Sequence, residues 1–210
     1  MPEPATLLAF SLTALLFAAS PGPNFFFVLT RAVSHGRAEG FASVLGICTG
    51  ALVHTLAAVL GLSALLASSA LAFSAVKYVG AAYLIFLGVK TLLQRERTDV
   101  EVTSLGRTGG ARAYRQGVVT MLLNPKAALY YFAFLPQFVD PSRGAPSEQL
   151  LVLGLIQAAA ALTVYTGVTL AAGTVGSLLR RNLAARKVQK WVTGCAYLLL
   201  GTSVAVSGRK

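Results

Sequence analysis

Apolar residues gather along the chain into six long runs, near residues 5–30, 41–67, 70–93, 114–139, 149–179 and 188–207. Each run reaches the length of about 20 helical residues needed to cross a hydrocarbon layer. Ala and Leu dominate, and the ten-residue alternation of polar and apolar positions that marks a barrel strand is absent. The pattern therefore predicts six transmembrane helices. Two of the runs are interrupted: the first at "SPGPN", where Pro21, Gly22 and Pro23 precede Asn24, and the fourth at "NPK", Asn124, Pro125 and Lys126. Proline lacks an N–H and clashes with the preceding turn, which releases backbone carbonyls that lipid cannot satisfy. Both breaks are expected to face protein or water.

The longest hydrophilic stretch, residues 94–116, mixes charges with glycine pairs and reads as a linker. The segments on either side of it look related. Pro21 and Pro125 each interrupt the first run of their half, Thr49-Gly50 recurs as Thr166-Gly167, and "KYVGAAYLIFLG" from Lys77 is echoed by "KWVTGCAYLLLG" from Lys190. The expected fold is an all-α integral membrane domain over residues 1–210, built as two three-helix repeats, about 1–93 and 114–208, with a cytoplasmic linker at about 94–113. Three spans per repeat is an odd number. The halves are then inverted about a pseudo-two-fold axis in the membrane plane, a common transporter plan in which paired helix interruptions point to the substrate site.

Composition agrees with this picture and removes its competitors. With 55% hydrophobic residues, 12% charged and a mean hydropathy of +0.68, the chain does not resemble a soluble domain. A net charge of +11 would suggest nucleic acid, but the charge is not one patch. Arg31 and Arg37 follow the first run; Lys90, Arg95, Arg97, Arg107, Arg112 and Arg115 fall between the third and fourth; Arg180, Arg181, Arg186, Lys187 and Lys190 fall between the fifth and sixth. The remaining connections and termini carry Lys77, Arg143, Arg209 and Lys210. That bias places the odd-numbered loops in the cytoplasm and both termini outside, predicts contact with anionic membrane lipid, and argues against a nucleic-acid partner. The start, "MPEPAT", has an acid and no basic residue, so a cleaved signal peptide is not expected. Cys48 and Cys195 fall within runs and are expected to be free, buried thiols.

Lys126 is the one Lys or Arg placed well inside a run, where a charge costs at least about 2.5–3.5 kcal/mol on insertion scales. The seven acids, Glu3, Glu39, Glu96, Asp99, Glu101, Asp140 and Glu148, all lie in loops or near run ends. Lys126 is therefore expected to meet freed carbonyls, Asn24, Asn124 or a substrate carboxylate. His54, the one His within a run, is a candidate proton carrier, with a neutral helix-bonding His as the alternative. His35 sits in a short basic loop with no expected catalytic role. Gly46 and Gly50 have the GxxxG spacing of close helix contact. Tyr130, Tyr131, Phe132 and Phe134 could line a cavity after the NPK break, but most of them read as interfacial anchors. No HExxH, GxSxG, phosphate loop or Cys/His metal spacing is present, so neither an enzyme nor a metal or other cofactor is expected.

"SPGPNFFFVLTRAVSHGRAEGFASVLGICTG" together with "LLNPKAALYYFAFLPQFVDP" resembles the lysine-exporter and homoserine/threonine-resistance (LysE/RhtB) family of bacterial amino-acid exporters, along essentially the whole chain. The resemblance implies a six-helix bacterial inner-membrane protein that moves amino acids or close derivatives outward, driven by the proton gradient and assembled as a homodimer. The family's first motif falls on Pro21, Gly22, Pro23 and Asn24, and its second on Asn124, Pro125 and Lys126. Many members carry an Asp in the second span near the glycine of the "TG" step, whereas this chain continues "TGALVH", which favours a neutral substrate over a cationic one. A passive channel, and a membrane-embedded enzyme or assembly factor acting on a lipid-linked substrate, are the alternatives.

Overall fold

The computed structural model describes residues 2–68 and 109–172, with scattered helical positions at 78, 82, 85, 86, 89, 92, 93, 191, 195, 198 and 202. Apart from those positions, the third and sixth runs and the echoed Lys77 and Lys190 motifs lie outside the described residues. Every regular element among the described residues is helical. Helices α1 (Pro4–Ala19) and α2 (Pro23–His35) divide the first run and meet at a 56° bend. Helix α3 (Arg37–Ser68) is the second run, unbroken. Helices α4 (Gly110–Leu122) and α5 (Pro125–Leu129) divide the fourth run, which continues as a π-helical turn (Tyr130–Phe134) and a 3-10 turn (Leu135–Phe138), with a 52° bend at the break. Helix α6 (Pro146–Leu170) is the fifth run.

The breaks follow from local stereochemistry. A residue before proline is pushed out of the helical region, and Ser20, Gly22 and Asn124, each followed by a proline, are all extended (ψ 135°, −179° and 106°). Pro23 and Pro125 then open the next helices at their first position, where a missing N–H costs nothing. Gly36, at φ 90°, makes the left-handed turn from α2 to α3 that a residue with a Cβ would resist.

Polar contacts fix the ends of the bundle. Glu3, ahead of α1, pairs with Arg143 in the loop before α6 at 3.4 Å, and Arg143 also reaches Asp140 at 3.3 Å. In that loop the hydroxyl and backbone N–H of Ser142 hold the Asp140 carboxyl below the usual carboxylate range. At the opposite end Arg31 pairs with Glu39, Glu39 accepts from the N–H of Gly109 ahead of α4, and Arg37 donates to the carbonyl of Leu170 at the end of α6. Bent span α1–α2 and helix α6 thus run toward the arginine-rich end, while α3 and α4 both start there.

Helix α3 packs along α4 and α6. Small residues set the spacing: a Cβ on Gly46 would collide with the Tyr114 carbonyl, one on Gly50 would lie 2.7 Å from Met121 Cβ, and one on Gly117 2.6 Å from the Ser43 carbonyl. The GxxxG step is a seam for α4. Leu8, Leu12, Leu45, Leu56, Leu60, Leu155 and Leu162 point outward and are exposed, as expected where the surrounding medium is apolar. Cys48 is a free, partly buried thiol, whereas Cys195 is free and exposed. The aromatic residues after the second break are not anchors. Tyr130, Tyr131 and Phe134 are at most 1% exposed and belong to the core with Phe10 and Phe17, because the break and the π-helical turn swing this segment inward.

Candidate functional site

Each proline removes one donor from its helix, and the carbonyl left without that donor is the one four residues earlier. For Pro21 that carbonyl belongs to Phe17; for Pro125 it belongs to Met121. The Phe17 carbonyl accepts from Ser20 Oγ at 2.7 Å and from Lys126 Nζ at 3.5 Å. The Met121 carbonyl accepts from the Asn124 N–H and from His54 Nε2, both at 3.2 Å. A carbonyl can only accept, so Nε2 carries the proton and Nδ1 is left as the acceptor of the ring. The first break is thus read by a basic side chain from the second half of the chain, and the second break by one from the first half.

Lys126 is the most heavily tied of these groups. Its Nζ also donates to Ser20 Oγ and to the Ser20 carbonyl, and stands 4.6 Å over the ring of Phe17. The carbonyls at the end of α1 carry the negative end of that helix, which favours a cation beside them. Lys126 lies in the first turn of α5, where a cation opposes its own helix; pointing across to α1 offsets that. Gly22 makes room: a Cβ there would sit 3.3 Å from Nζ and 3.5 Å from Cδ. Since Gly22 is extended, glycine is needed for this close approach rather than for its dihedrals. Asn124 caps α5, its Oδ1 accepting from the Lys126 N–H at 3.0 Å.

Asn24, in the first turn of α2, is buried, and its Nδ2 donates to Met121 Sδ at 3.0 Å. Its Oδ1 has no hydrogen-bond partner among the described residues. His54 stacks on Tyr131 with ring centroids 5.4 Å apart and meets Phe132 edge-on at 5.9 Å. The structure therefore gathers Pro21, Gly22, Pro23, Asn24, Asn124, Pro125, Lys126 and His54 around the two breaks. Sequence reasoning missed Phe17, Ser20 and Met121, although counting four back from Pro21 and Pro125 finds two of them.

A profile for one protein family matches residues 15–208, nearly the whole chain, and its description is LysE type translocator. The chain belongs to that family. Among its relatives, an uncharacterized membrane protein of Vibrio cholerae is 32% identical over 91% of this chain and 95% of its own length. A homoserine/homoserine lactone efflux protein of Salmonella typhimurium is 29% identical over 94% of each chain. A leucine efflux protein of Klebsiella pneumoniae is 33% identical over 70% of each. No solved structure matches the chain. Translocator membership and the long apolar helices make this an integral membrane protein of a transport family.

Proposed function

We propose that this protein exports amino acids, or close derivatives, of neutral side chain from the cytoplasm, coupled to the proton gradient, through a site between the two proline breaks. The observation that carries the proposal is the reciprocal geometry of the breaks. Lys126 holds a carbonyl freed by Pro21, and His54 holds the carbonyl freed by Pro125. An ammonium that sits against the neutral oxygens of Ser20 and Phe17 gains from a carboxylate, because a hydrogen bond between two charged groups is stronger than one to a neutral oxygen. A substrate carboxylate would draw Lys126 from Ser20 and Phe17, while the Oδ1 of Asn24 would accept from the substrate ammonium. His54, with Nδ1 as acceptor, is the proton carrier in this scheme. Pro21, Gly22, Pro23, Asn124 and Pro125 act as the backbone frame.

The similar bends of 56° and 52° support two related halves. The arginine-rich end is assigned to the cytoplasm by the positive-inside bias. Helix α3 starts at that end and α4 starts there again, so an odd number of crossings has to lie between them. This supports a third span, hence three per half and six in all, with both termini outside. Rocking of one half against the other would make and break the two cross-half contacts, and a homodimer in the bacterial inner membrane is the assembly proposed.

The test is efflux from proteoliposomes loaded with a mixed panel of amino acids, homoserine and homoserine lactone, with and without an imposed pH gradient. Gradient-dependent loss of one or two neutral solutes is the expected result. Loss that never runs uphill would indicate a channel, and no loss from folded protein would sink the exporter.

A further inference from the structure

A cavity of about 550 Å³ opens between α2 and α4 at the arginine-rich end, lined by Phe27, Arg31, Arg112, Arg115, Gln116 and Thr120 among others. Its size falls within the usual range for small-molecule sites of roughly 300–1,000 Å³. The charges lining it are not equivalent. Arg31 is fully buried, pairs with Glu39 at 3.1 Å and donates to Gln116 Oε1, so its charge is already offset. Arg112 and Arg115 are exposed and form no ion pair with a described residue. Among the described residues they leave the mouth with an excess of positive charge.

Position gives the cavity a direction. Arg112 and Thr120 are eight residues apart on α4, about 12 Å at 1.5 Å per residue. Thr120 adjoins Met121, whose sulfur takes Asn24 and whose carbonyl takes His54. On the facing helix, Phe27 and Arg31 lie one and two turns below Asn24. The cavity thus leads from Arg112 and Arg115, which pair with no described acid, past Gln116 and Thr120, toward the proline-break site. A lipid headgroup would need only the charged rim. Inside the charged rim the wall is largely apolar, with Phe27 and Val119 beside the polar groups of Gln116 and Thr120, which suits a small zwitterion of apolar side chain.

We infer that this cavity is a cytoplasmic capture site, in which Arg112 and Arg115 bind the carboxylate of the solute before it reaches Lys126. The inference rests on the exporter reading, and its test separates the two. Efflux is measured in proteoliposomes at varied internal concentrations of the solute that wild type exports, for wild type, Arg112→Gln/Arg115→Gln and Arg115→Glu. The double variant should raise the half-saturating internal concentration about five- to twentyfold, the scale of two partly solvated charge contacts, with maximal rate unchanged. Rising salt should weaken capture in wild type, over a Debye length of about 8–10 Å near 0.1–0.15 M, and leave the double variant little affected. A carboxamide derivative that wild type exports should not distinguish the proteins. Thermal melts and gel filtration establish that the variants are folded.

An unchanged half-saturation in folded double variant overturns the capture site while leaving the exporter standing. A defect seen in vesicles containing anionic lipid and absent in purely zwitterionic ones also overturns it, and identifies a lipid headgroup as the occupant. If wild type moves no solute, the exporter reading falls first.

Discussion

At the residue scale, two basic side chains, Arg31 and Lys126, differ in how much of their role the sequence reveals. Arg31 reads there as one more positive charge fixing orientation, yet it is fully buried and bridges α2, α3 and α4 through Glu39 and Gln116. Its partners are 8 and 85 residues away, a separation that no local spacing rule connects. A buried pair gains little over an apolar replacement of both partners, but removing one leaves a charge stranded. Arg31→Met should therefore destabilise the protein by about 3–5 kcal/mol, and a further Glu39→Gln should recover much of that loss in thermal melts of detergent-solubilised protein. Equal stability of the single and double variants would contradict this role. Lys126, by contrast, was legible: a cation inside an apolar run next to a proline has to find oxygens, and the oxygens nearest in kind are those another proline has freed.

At the element scale, proline positions in the sequence translated directly into structure. X-Pro stereochemistry fixes where α1 and α4 stop, and the missing donors fix which carbonyls are open. The aromatic run 130–134 was misjudged for the same reason that the breaks were found. Its inward turn depends on the bend and on the π-helical geometry that follows it, and neither is written in the periodicity of four aromatic residues within five positions. Pro125→Ala restores an N–H for the Met121 carbonyl, removes the need for His54 there, and lets α4 and α5 straighten away from α1. At the first position of α5 the proline costs the helix little, so thermal stability should change by no more than about 1 kcal/mol while efflux falls at least about tenfold, a loss of roughly 1.4 kcal/mol of productive interaction. Wild-type efflux from a stable Pro125→Ala variant would show that the bend is not part of the transport cycle.

At the scale of the whole molecule, contacts at the two ends give the described helices their directions, α1–α2 and α6 toward the arginine-rich end and α3 and α4 away from it. Glu3 and Arg143 share one end; Arg31, Glu39, Gly109 and Leu170 share the other. The length of the apolar runs anticipated the long helices, but could not reveal that the segments before and after residues 94–108 exchange basic residues across their breaks. That exchange depends on distances between residues 109 and 67 positions apart. In intact cells, a single cysteine at Ser142, in a background with Cys48 and Cys195 replaced by Ser, should react with an impermeant maleimide, and one at Arg112 should react only after permeabilisation. The reverse pattern would invert the direction of transport.

The most direct measurement is efflux of the exported amino acid from proteoliposomes carrying wild type, Lys126→Arg or Lys126→Met, at saturating internal concentration and a fixed pH gradient. Hydrogen bonds to charged groups contribute about 1.5–3 kcal/mol, so Lys126→Met should lower efflux about 10- to 150-fold while remaining folded and inserted, and Lys126→Arg should retain part of the activity. Full efflux by folded Lys126→Met would mean that the cation between the breaks only braces the helices, and that the substrate is bound elsewhere.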